Sequence, residues 1–307
     1  MISNRPALAA RFSAAAWIFL GYNLLVVVWG GLVRATGSGA GCGDHWPLCN
    51  GEWVPQHPQW RTFIEFTHRG MSGLALVGVV LLWIWSRKAF PRGSLTRAGA
   101  AASLGFMLSE AAIGAGLVLL KLVAQDTSLL RAGYLSVHLM NTFFLILSLT
   151  VTAWASRHPR ASWDTLRSAA DFSLLITGLF GTLILGITGG IAALGDTLFP
   201  SHSLKEGFAQ DRMPGVHFLL RLRVVHPALA ILVAMFLAIL ALRALANPRL
   251  HRGAQWLLAV IGLQVAVGCW NLLWLAPVFL QLLHLAMADV LWITLILFAL
   301  SHSIDMP

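Results

Sequence analysis

Charged residues are scarce in this chain. Asp, Glu, Lys and Arg make up only 11% of its 307 residues, whereas hydrophobic residues make up 58%. Roughly a quarter of the residues of an ordinary soluble domain are charged. The shortage excludes a soluble globular protein and predicts an integral membrane protein surrounded by membrane lipid.

Acidic residues are the scarcer kind, with 12 Asp and Glu against 21 Lys and Arg and a formal net charge of +9. A nucleic-acid-binding protein gathers such a charge in one patch or stripe. Here the basic residues lie in short loops between apolar stretches, which is typical of charges that set membrane orientation. Nucleic acid is therefore not an expected partner.

Eight apolar segments approach the length of about 20 residues that a helix needs to cross the hydrocarbon core of a bilayer. They cover residues 14–33, 62–85, 98–120, 132–155, 172–194, 224–242, 254–274 and 277–300. The sequence therefore predicts an all-α, polytopic membrane protein with eight transmembrane helices.

The distribution of Lys and Arg predicts how these spans are oriented. An even number of spans places both termini on one side, and short basic loops mark the cytoplasmic side. The basic loops 87–97, 157–167 and 243–252 all fall on the side of the termini. We expect both termini in the cytoplasm and the long loops 34–61 and 195–223 outside the cell membrane.

The two halves of the chain resemble each other. The sequence GGLV at residues 30–33 ends the first span, and GGIA at residues 189–192 ends the fifth, 159 residues later. Each is followed by a long outer loop and then by a histidine, His68 or His226. Four spans per half keep the same orientation, so the repeat predicts two pseudo-symmetric four-helix bundles, residues 1–160 and 161–307.

Two cysteines, Cys42 and Cys49, lie in the first outer loop, on the oxidising side of the membrane. This placement predicts a disulfide bond. A structural staple and a redox role are both open for it. Cys269, within the seventh span, is expected to be a small buried hydrophobic residue.

Four histidines recur at equivalent depth. His68, His138, His226 and His284 fall at or near the outer ends of spans two, four, six and eight. Imidazoles projecting from two helices of a bundle supply both axial ligands of a haem, which predicts one haem in each half. Zinc is the competing metal, but it needs three or four close ligands, and neither half has a third.

The halves differ beside these histidines. Glu65 precedes His68 by three residues on the same helix face, whereas Arg223 holds that position before His226. Glu65 is a candidate proton acceptor or electrostatic stabiliser, or an ordinary ion-pair partner of Arg61 or Arg69.

Further charged residues lie near the predicted haem sites. Arg69, Arg131, Arg221 and Arg223 are candidates to pair with haem propionates. Snorkelling to the membrane interface or an ordinary surface charge is equally open for them. Glu110 and Asp289 lie deeper in their spans, where an unpaired charge costs at least about 2.5 kcal/mol, so a protonated state or a proton path is expected for them.

The motifs together resemble the haem A synthase family. The resemblance covers nearly the whole chain, and its bacterial members are eight-span proteins with an internal four-helix repeat. It rests on GGLVRATGSG at residues 30–39, the cysteine pair that follows, EFTHR at residues 65–69, and the three later histidines His138, His226 and His284.

The resemblance implies oxidation of the C8 methyl group of haem O to a formyl group, by two successive hydroxylations and loss of water. The product, haem A, serves cytochrome oxidase. In this family the N-terminal half takes the substrate haem and the C-terminal half keeps a haem b that passes electrons. The implied partners are a haem O synthase and an unidentified electron donor or acceptor.

Carried over residue by residue, the resemblance gives each candidate a role. His68 and His138 would bind the iron of the substrate haem, with Glu65 as the catalytic carboxylate. His226 and His284 would bind the iron of haem b.

Two other functions use the same histidines. A di-haem cytochrome b that relays electrons, similar to a quinol oxidoreductase, would keep two identical haems and modify neither. A haem transporter would hold exchangeable haem weakly in both halves.

Overall fold

The computed structural model describes residues 5–167 and 171–302, so the ends of the two predicted halves, 1–4 and 303–307, lie outside it. Over the described residues the chain folds into ten α-helices, and its one β-bridge joins Cys49 and Glu52. The helices are α1 Arg5–Ala35, α2 Trp60–Ala89, α3 Leu95–Leu119, α4 Leu129–Ala155, α5 Trp163–Arg167, α6 Phe172–Leu198, α7 Leu204–Arg212, α8 Phe218–Ala244, α9 His251–Leu273 and α10 Val278–Ser301.

Eight of these helices are long and apolar enough to cross a bilayer, and each contains most or all of one predicted span. They are α1, α2, α3, α4, α6, α8, α9 and α10. The all-α fold class and the eight spans are therefore confirmed. In a helix every backbone N–H can bond within its own segment, which is why a chain this apolar takes that form in lipid.

The sixth span begins earlier than its hydropathy predicts. Helix α8 starts at Phe218, six residues before the predicted start at residue 224. Arg223 interrupts the apolar run, but it forms ion pairs with Asp196 (3.1 Å) and Asp211 (2.5 Å). Because its charge is paired within the protein, the helix continues through it.

The long loop between the fifth and sixth spans contains a helix that the hydropathy pattern did not predict. The Ser203 hydroxyl accepts a hydrogen bond from Glu206 N–H (3.2 Å), and the Glu206 carboxylate accepts one from His202 N–H (2.8 Å). A serine followed three residues later by glutamate is the signature of a capped helix start. Helix α7 is amphipathic and polar, so a search for apolar spans misses it.

The spans pack as two groups of four. Helices α1–α4 contact one another in chain order and α4 also contacts α1, while α6, α8, α9 and α10 form a corresponding group. The groups meet along α1, α4, α6 and α10. At this interface the Trp292 indole donates to the Phe143 carbonyl (2.9 Å), and the two rings meet edge to face at 5.0 Å. This packing agrees with the predicted four-helix halves.

Close packing between α1 and α2 depends on Gly78, and we expect Gly78→Ala to destabilise the protein. A Cβ atom there would lie 1.7 Å from Cε1 of Phe19, so the ring and its neighbours must shift. Such overpacking costs about 1–3 kcal/mol of unfolding free energy. Thermal unfolding of the purified protein in detergent measures the change.

Gly105→Ala in α3 is the matched control, because a Cβ there meets nothing within 4 Å. Alanine also favours a helix over glycine by about 1 kcal/mol, so this variant should be as stable as the wild type or more so. Equal melting temperatures for the two variants would contradict the packing argument.

Candidate functional site

A cavity of about 1500 Å³ lies between the two groups of helices and is bordered by residues of all eight spans. His68, His138, His226 and His284 all line it. Pockets of about 300–1,000 Å³ typically hold one small molecule or cofactor, so this cavity has room for two. The structure thus brings the four predicted histidines to one site.

Each histidine ring faces a glycine on the preceding span. A Cβ atom built on the glycine would approach Cε1 of the ring closely, which shows how near the helix backbone lies. These distances are 3.0 Å for Gly30 and His68, 3.8 Å for Gly114 and His138, 2.9 Å for Gly189 and His226, and 2.9 Å for Gly268 and His284. At Gly30, Gly189 and Gly268 the missing Cβ therefore provides space that the ring occupies, whereas the distance at Gly114 is an ordinary van der Waals contact.

The double glycines of the repeated motif make a second set of equivalent contacts. A Cβ on Gly31 would lie 2.7 Å from Leu285, and a Cβ on Gly190 would lie 2.0 Å from Leu139. Each leucine immediately follows a histidine, but that histidine belongs to the opposite half. The first glycine of each pair therefore leaves space for a histidine of its own half, and the second leaves space for a leucine of the other half.

The second-half histidines have the spacing expected of ligands on opposite sides of one metal. The ring centres of His226 and His284 lie 6.3 Å apart, with an interplanar angle of 82°. A bond from a metal to an imidazole nitrogen is about 2 Å long, which places two opposed ring centres about 6 Å apart. The pair therefore fits a haem iron between the rings.

Several ring nitrogens at the site are incompletely bonded. Within the described part of the chain, Nδ1 of His68 and of His284 is buried and has no hydrogen-bond partner, and Nδ1 of His226 lies 3.3 Å from the Thr188 hydroxyl. Nδ1 of His138 lies 3.5 Å from Glu110 Oε1, without the alignment of a hydrogen bond. Buried polar atoms without partners are uncommon and point to a functional site.

Over the described residues, no three His, Cys, Asp or Glu side chains come together as ligands for a bare metal ion. A haem brings the porphyrin nitrogens as its own equatorial ligands, so two histidines complete its coordination. The donor set fits haem better than zinc, whose sites use three or four protein ligands.

Glu65 is buried, with 3% of its surface exposed, and both of its oxygens accept hydrogen bonds. Oε2 accepts from the Cys42 backbone N–H (2.8 Å), and Oε1 accepts from Arg69 Nη2 (2.5 Å). Of the two arginines expected as ion-pair partners, Arg69 is the one that binds Glu65. Arg61 instead lies over the ring of Trp60, 5.1 Å from its centre.

The predicted disulfide between Cys42 and Cys49 is present, and both cysteines are buried. The loop that it closes is fastened to α2, because Arg69 Nη1 donates to the carbonyls of His45 and Leu48, both at 2.7 Å. The disulfide loop therefore holds Glu65 directly through Cys42 N–H and indirectly through Arg69, and both links restrain its orientation.

This outer loop is also tied to the turn after α3. Lys121 pairs with Asp44 at 2.7 Å, and the hydrogen bond to that carboxylate raises the pKa of Lys121. Both side chains are largely exposed, so the pair contributes little to stability.

The four arginines expected at the haem propionates all border the cavity. Like Arg69, two others are already bonded to protein groups. Arg131 donates to the carbonyls of Ala124 (2.8 Å) and Asp126 (2.6 Å), and Arg223 forms ion pairs with two aspartates. Arg221 is exposed. Pairing with propionates stays a prediction for all four.

The expectation for Cys269 was wrong, because its side chain is exposed and borders the cavity. An apolar segment does not reveal which of its faces packs inside the protein. Asp289 is buried at 3% exposure, and its Oδ2 has no hydrogen-bond partner.

Arg34 is a cavity residue that the sequence did not single out. It belongs to the first half, yet Nη1 donates to Ala193 O (2.7 Å) and Thr197 Oγ1 (2.8 Å), and Nη2 donates to Gln281 Oε1 (2.7 Å). All three acceptors belong to the second half. One feature of the sequence could have drawn attention to Arg34. It directly follows GGLV, whereas Ala193 holds the equivalent position in the second repeat.

Fold and site together define a polytopic helical membrane protein with paired histidines around a cavity large enough for two cofactors. A family model described as cytochrome oxidase assembly protein (COX15-CtaA) matches residues 13–296. The chain therefore belongs to this family, that of the haem A synthases, as its motifs predicted.

Named relatives agree with this membership. A heme A synthase from Exiguobacterium sibiricum is 29% identical over 265 residues, which cover 85% of each chain. A heme A synthase from Geobacillus kaustophilus is 45% identical over 95 residues, 31% of this chain and 30% of the relative. A protein from Thermus thermophilus named protoheme IX farnesyltransferase is 42% identical over 295 residues, 95% of this chain but 48% of the relative. This chain thus spans about half the length of that relative.

Removing the disulfide should destabilise the outer loop. For Cys42→Ser combined with Cys49→Ser, we expect a loss of about 2–3 kcal/mol, since a disulfide restricts the unfolded chain. The melting temperature in detergent should fall, and limited proteolysis should cut the loop sooner. Cys269→Ser is the control because Cys269 forms no disulfide. Unchanged stability of the double variant would show that other contacts hold the loop.

Proposed function

We propose that the protein is a haem A synthase of the cell membrane. It oxidises the C8 methyl group of haem O to a formyl group, by two successive hydroxylations and loss of water, for use in cytochrome oxidase. The observation that supports this function best is the unequal surroundings of the four histidines. Carboxylates accompany the first-half pair, whereas His226 approaches a threonine hydroxyl and Nδ1 of His284 has no partner.

The roles of the two halves follow from this asymmetry. We assign His68 and His138 to the iron of the substrate haem, in the half made of residues 1–160. We assign His226 and His284 to a resident haem b, in residues 161–307, and the 6.3 Å spacing of their rings supports that assignment. When bound, haem b supplies one-electron transfer.

Glu65 is the residue that we assign to proton transfer at the substrate. A carboxylate has about four lone-pair sites, and Cys42 N–H and Arg69 occupy two of those on Glu65. The remaining sites allow it to accept a proton released at the methyl group, while Arg69 and the disulfide loop hold it in place. Its position on the cavity wall, one helical turn before His68, gives it access to the substrate.

The same arrangement supports the proposed orientation. The disulfide loop and the long connection after α6 would face the outside, where a disulfide persists, and both termini would lie in the cytoplasm. Substrate would then be oxidised near the outer ends of the spans.

We further propose that the enzyme receives haem O directly from a haem O synthase in the membrane. The Thermus relative supports this pairing, because it is named protoheme IX farnesyltransferase and yet includes a region similar to this chain. That region matches 95% of this chain and makes up 48% of the relative. Haem O is too apolar to diffuse readily through water, so transfer within the membrane is favourable.

An electron-relaying di-haem cytochrome is the competing function, and the substitution Glu65→Gln separates the two. The protein is purified from cells that also express a haem O synthase, and its haems are extracted and identified by chromatography and mass. We expect haem A or its hydroxymethyl precursor in the wild type. For the variant we expect haem O and a product yield lower by about 10²–10⁴-fold, the usual effect of losing a general base.

Glu52→Gln is the matched control, since Glu52 lies exposed in the same outer loop and its side chain accepts a hydrogen bond from Gln56 N–H. The backbone bridge between Glu52 and Cys49 does not involve that side chain. It should make haem A as the wild type does. Protohaem alone in the wild type and in both variants would favour the electron relay and refute the synthase.

Haem b binding should depend on the space that Gly268 leaves for His284. In Gly268→Ala the new Cβ would lie 2.9 Å from Cε1 of the ring, so the ring must leave the position from which it would bind the haem iron. We expect the purified variant to retain about one haem fewer per chain, with an unchanged helix content by circular dichroism. Gly262→Ala, on the same helix with nothing within 4 Å, should keep its haem. Full haem content in the first variant would argue against ligation by His284.

A further inference from the structure

Glu110 and Gln264 occupy equivalent places in the two halves. Glu110 lies on α3, four residues before Gly114, and Gln264 lies on α9, four residues before Gly268. The segments read EAAIG at 110–114 and QVAVG at 264–268. Each glycine faces the histidine of the next span. Glu110, Gln264 and both glycines border the same cavity.

The Glu110 side chain is held toward His138 by neutral donors. Its Oε1 lies 3.5 Å from Nδ1 of His138 and accepts from the Thr142 hydroxyl (2.5 Å). Its Oε2 accepts from Asn141 Nδ2 (2.5 Å), and the Asn141 amide is oriented in turn by the Ser109 hydroxyl at 2.6 Å. Among the described residues, the hydrogen bonds to this carboxylate come from Thr142 and Asn141, and neither donor is an arginine or a lysine.

The second half has a neutral amide instead of the carboxylate. Oε1 of Gln264 is buried without a hydrogen-bond partner, and so is Nδ1 of His284. An amide oxygen accepts a hydrogen bond from an imidazole N–H more weakly than a carboxylate does. One difference between the two sites is therefore the exchange of glutamate for glutamine at the position four residues before the glycine.

We propose that Glu110 is a positioning residue that holds His138 with its Nδ1–H toward the carboxylate and makes it a stronger electron donor to the iron than His284. The inference rests on the proposed ligation of haem by both histidines. A carboxylate behind a metal-bound histidine fixes the ring and its tautomer and raises its basicity. Stronger donation stabilises ferric iron, so the first-half haem has the lower reduction potential. This difference in potential would make the transfer of single electrons from the first-half haem to haem b favourable, and an external one-electron acceptor would then reoxidise haem b.

The test compares Glu110→Gln, Glu110→Asp and Gln264→Glu in the full-length protein. Each is loaded with haem O and protohaem without an electron acceptor, so that the substrate is not oxidised before the titration. Redox titration and electron paramagnetic resonance of the ferric protein are the readouts. In Glu110→Gln we expect the first-half potential to rise by about 59 mV, a tenfold shift in a one-electron equilibrium, and its signal to approach that of the second half. Gln264→Glu should lower the second-half potential.

Glu110→Asp separates the contact with His138 from the charge alone. Aspartate keeps the negative charge but withdraws it by one methylene, so we expect most of the Glu110→Gln shift. A potential equal to that of the wild type in Glu110→Asp would overturn the role assigned to the contact. Unchanged potential and resonance in a fully loaded Glu110→Gln would overturn the whole inference.

If Glu110→Gln fails to fold or to hold haem, Gln264→Glu decides alone. A lowered second-half potential supports the inference, and an unchanged one overturns it. The proposed ligation is checked separately: His138→Ala should lose the first-half haem, and retention of both haems there would refute the ligation itself.

Discussion

The close approach of helix backbones at the double glycines is the constraint on which the site depends. Gly30 and Gly189 leave space for a histidine ring of their own half, and Gly31 and Gly190 admit a leucine of the other half. A bilayer provides little hydrophobic drive for helices to associate, so packing of small residues and interhelical hydrogen bonds must hold them together. One dipeptide therefore sets the position of a histidine and the contact between halves at once, and the cavity is the space that remains between them.

Buried charge is managed in a consistent way around that cavity. Arg69 and Arg223 each bind carboxylates, Arg131 binds backbone carbonyls, and Arg34 reaches neutral acceptors of the opposite half. A charged side chain in a membrane span is costly unless it is bonded within the protein or faces a polar cavity. Because the Arg34 side chain crosses the interface, its hydrogen bonds satisfy the guanidinium group and also restrain the position of one half relative to the other.

The spans and the depth of the histidines could be predicted from the sequence, because hydropathy and spacing are local properties. Helix α7, the early start of α8 and the exposure of Cys269 could not be predicted, since each depends on a contact or a helix face that hydropathy does not record. Among the candidate site residues, Glu65 and the four histidines were singled out by repetition and asymmetry, and their roles stay predictions. The contacts of Arg34 and Glu110 could not be predicted, because their partners lie on other helices.

Beside their histidines the halves differ at two equivalent positions. Where they correspond, the first half has Glu65 and Glu110, and the second has Arg223 and Gln264. Glu65 is paired with Arg69, and Arg223 is paired with two aspartates, so the exchange of Glu65 for Arg223 does not by itself set the charge of either half. Glu110 instead accepts hydrogen bonds from the neutral side chains of Asn141 and Thr142. Under the proposed ligation, a negative charge held in this way would favour ferric iron in the first half. A duplicated bundle would then acquire different redox properties in its two halves through few side chains, while the glycines and histidines that build the site stay the same.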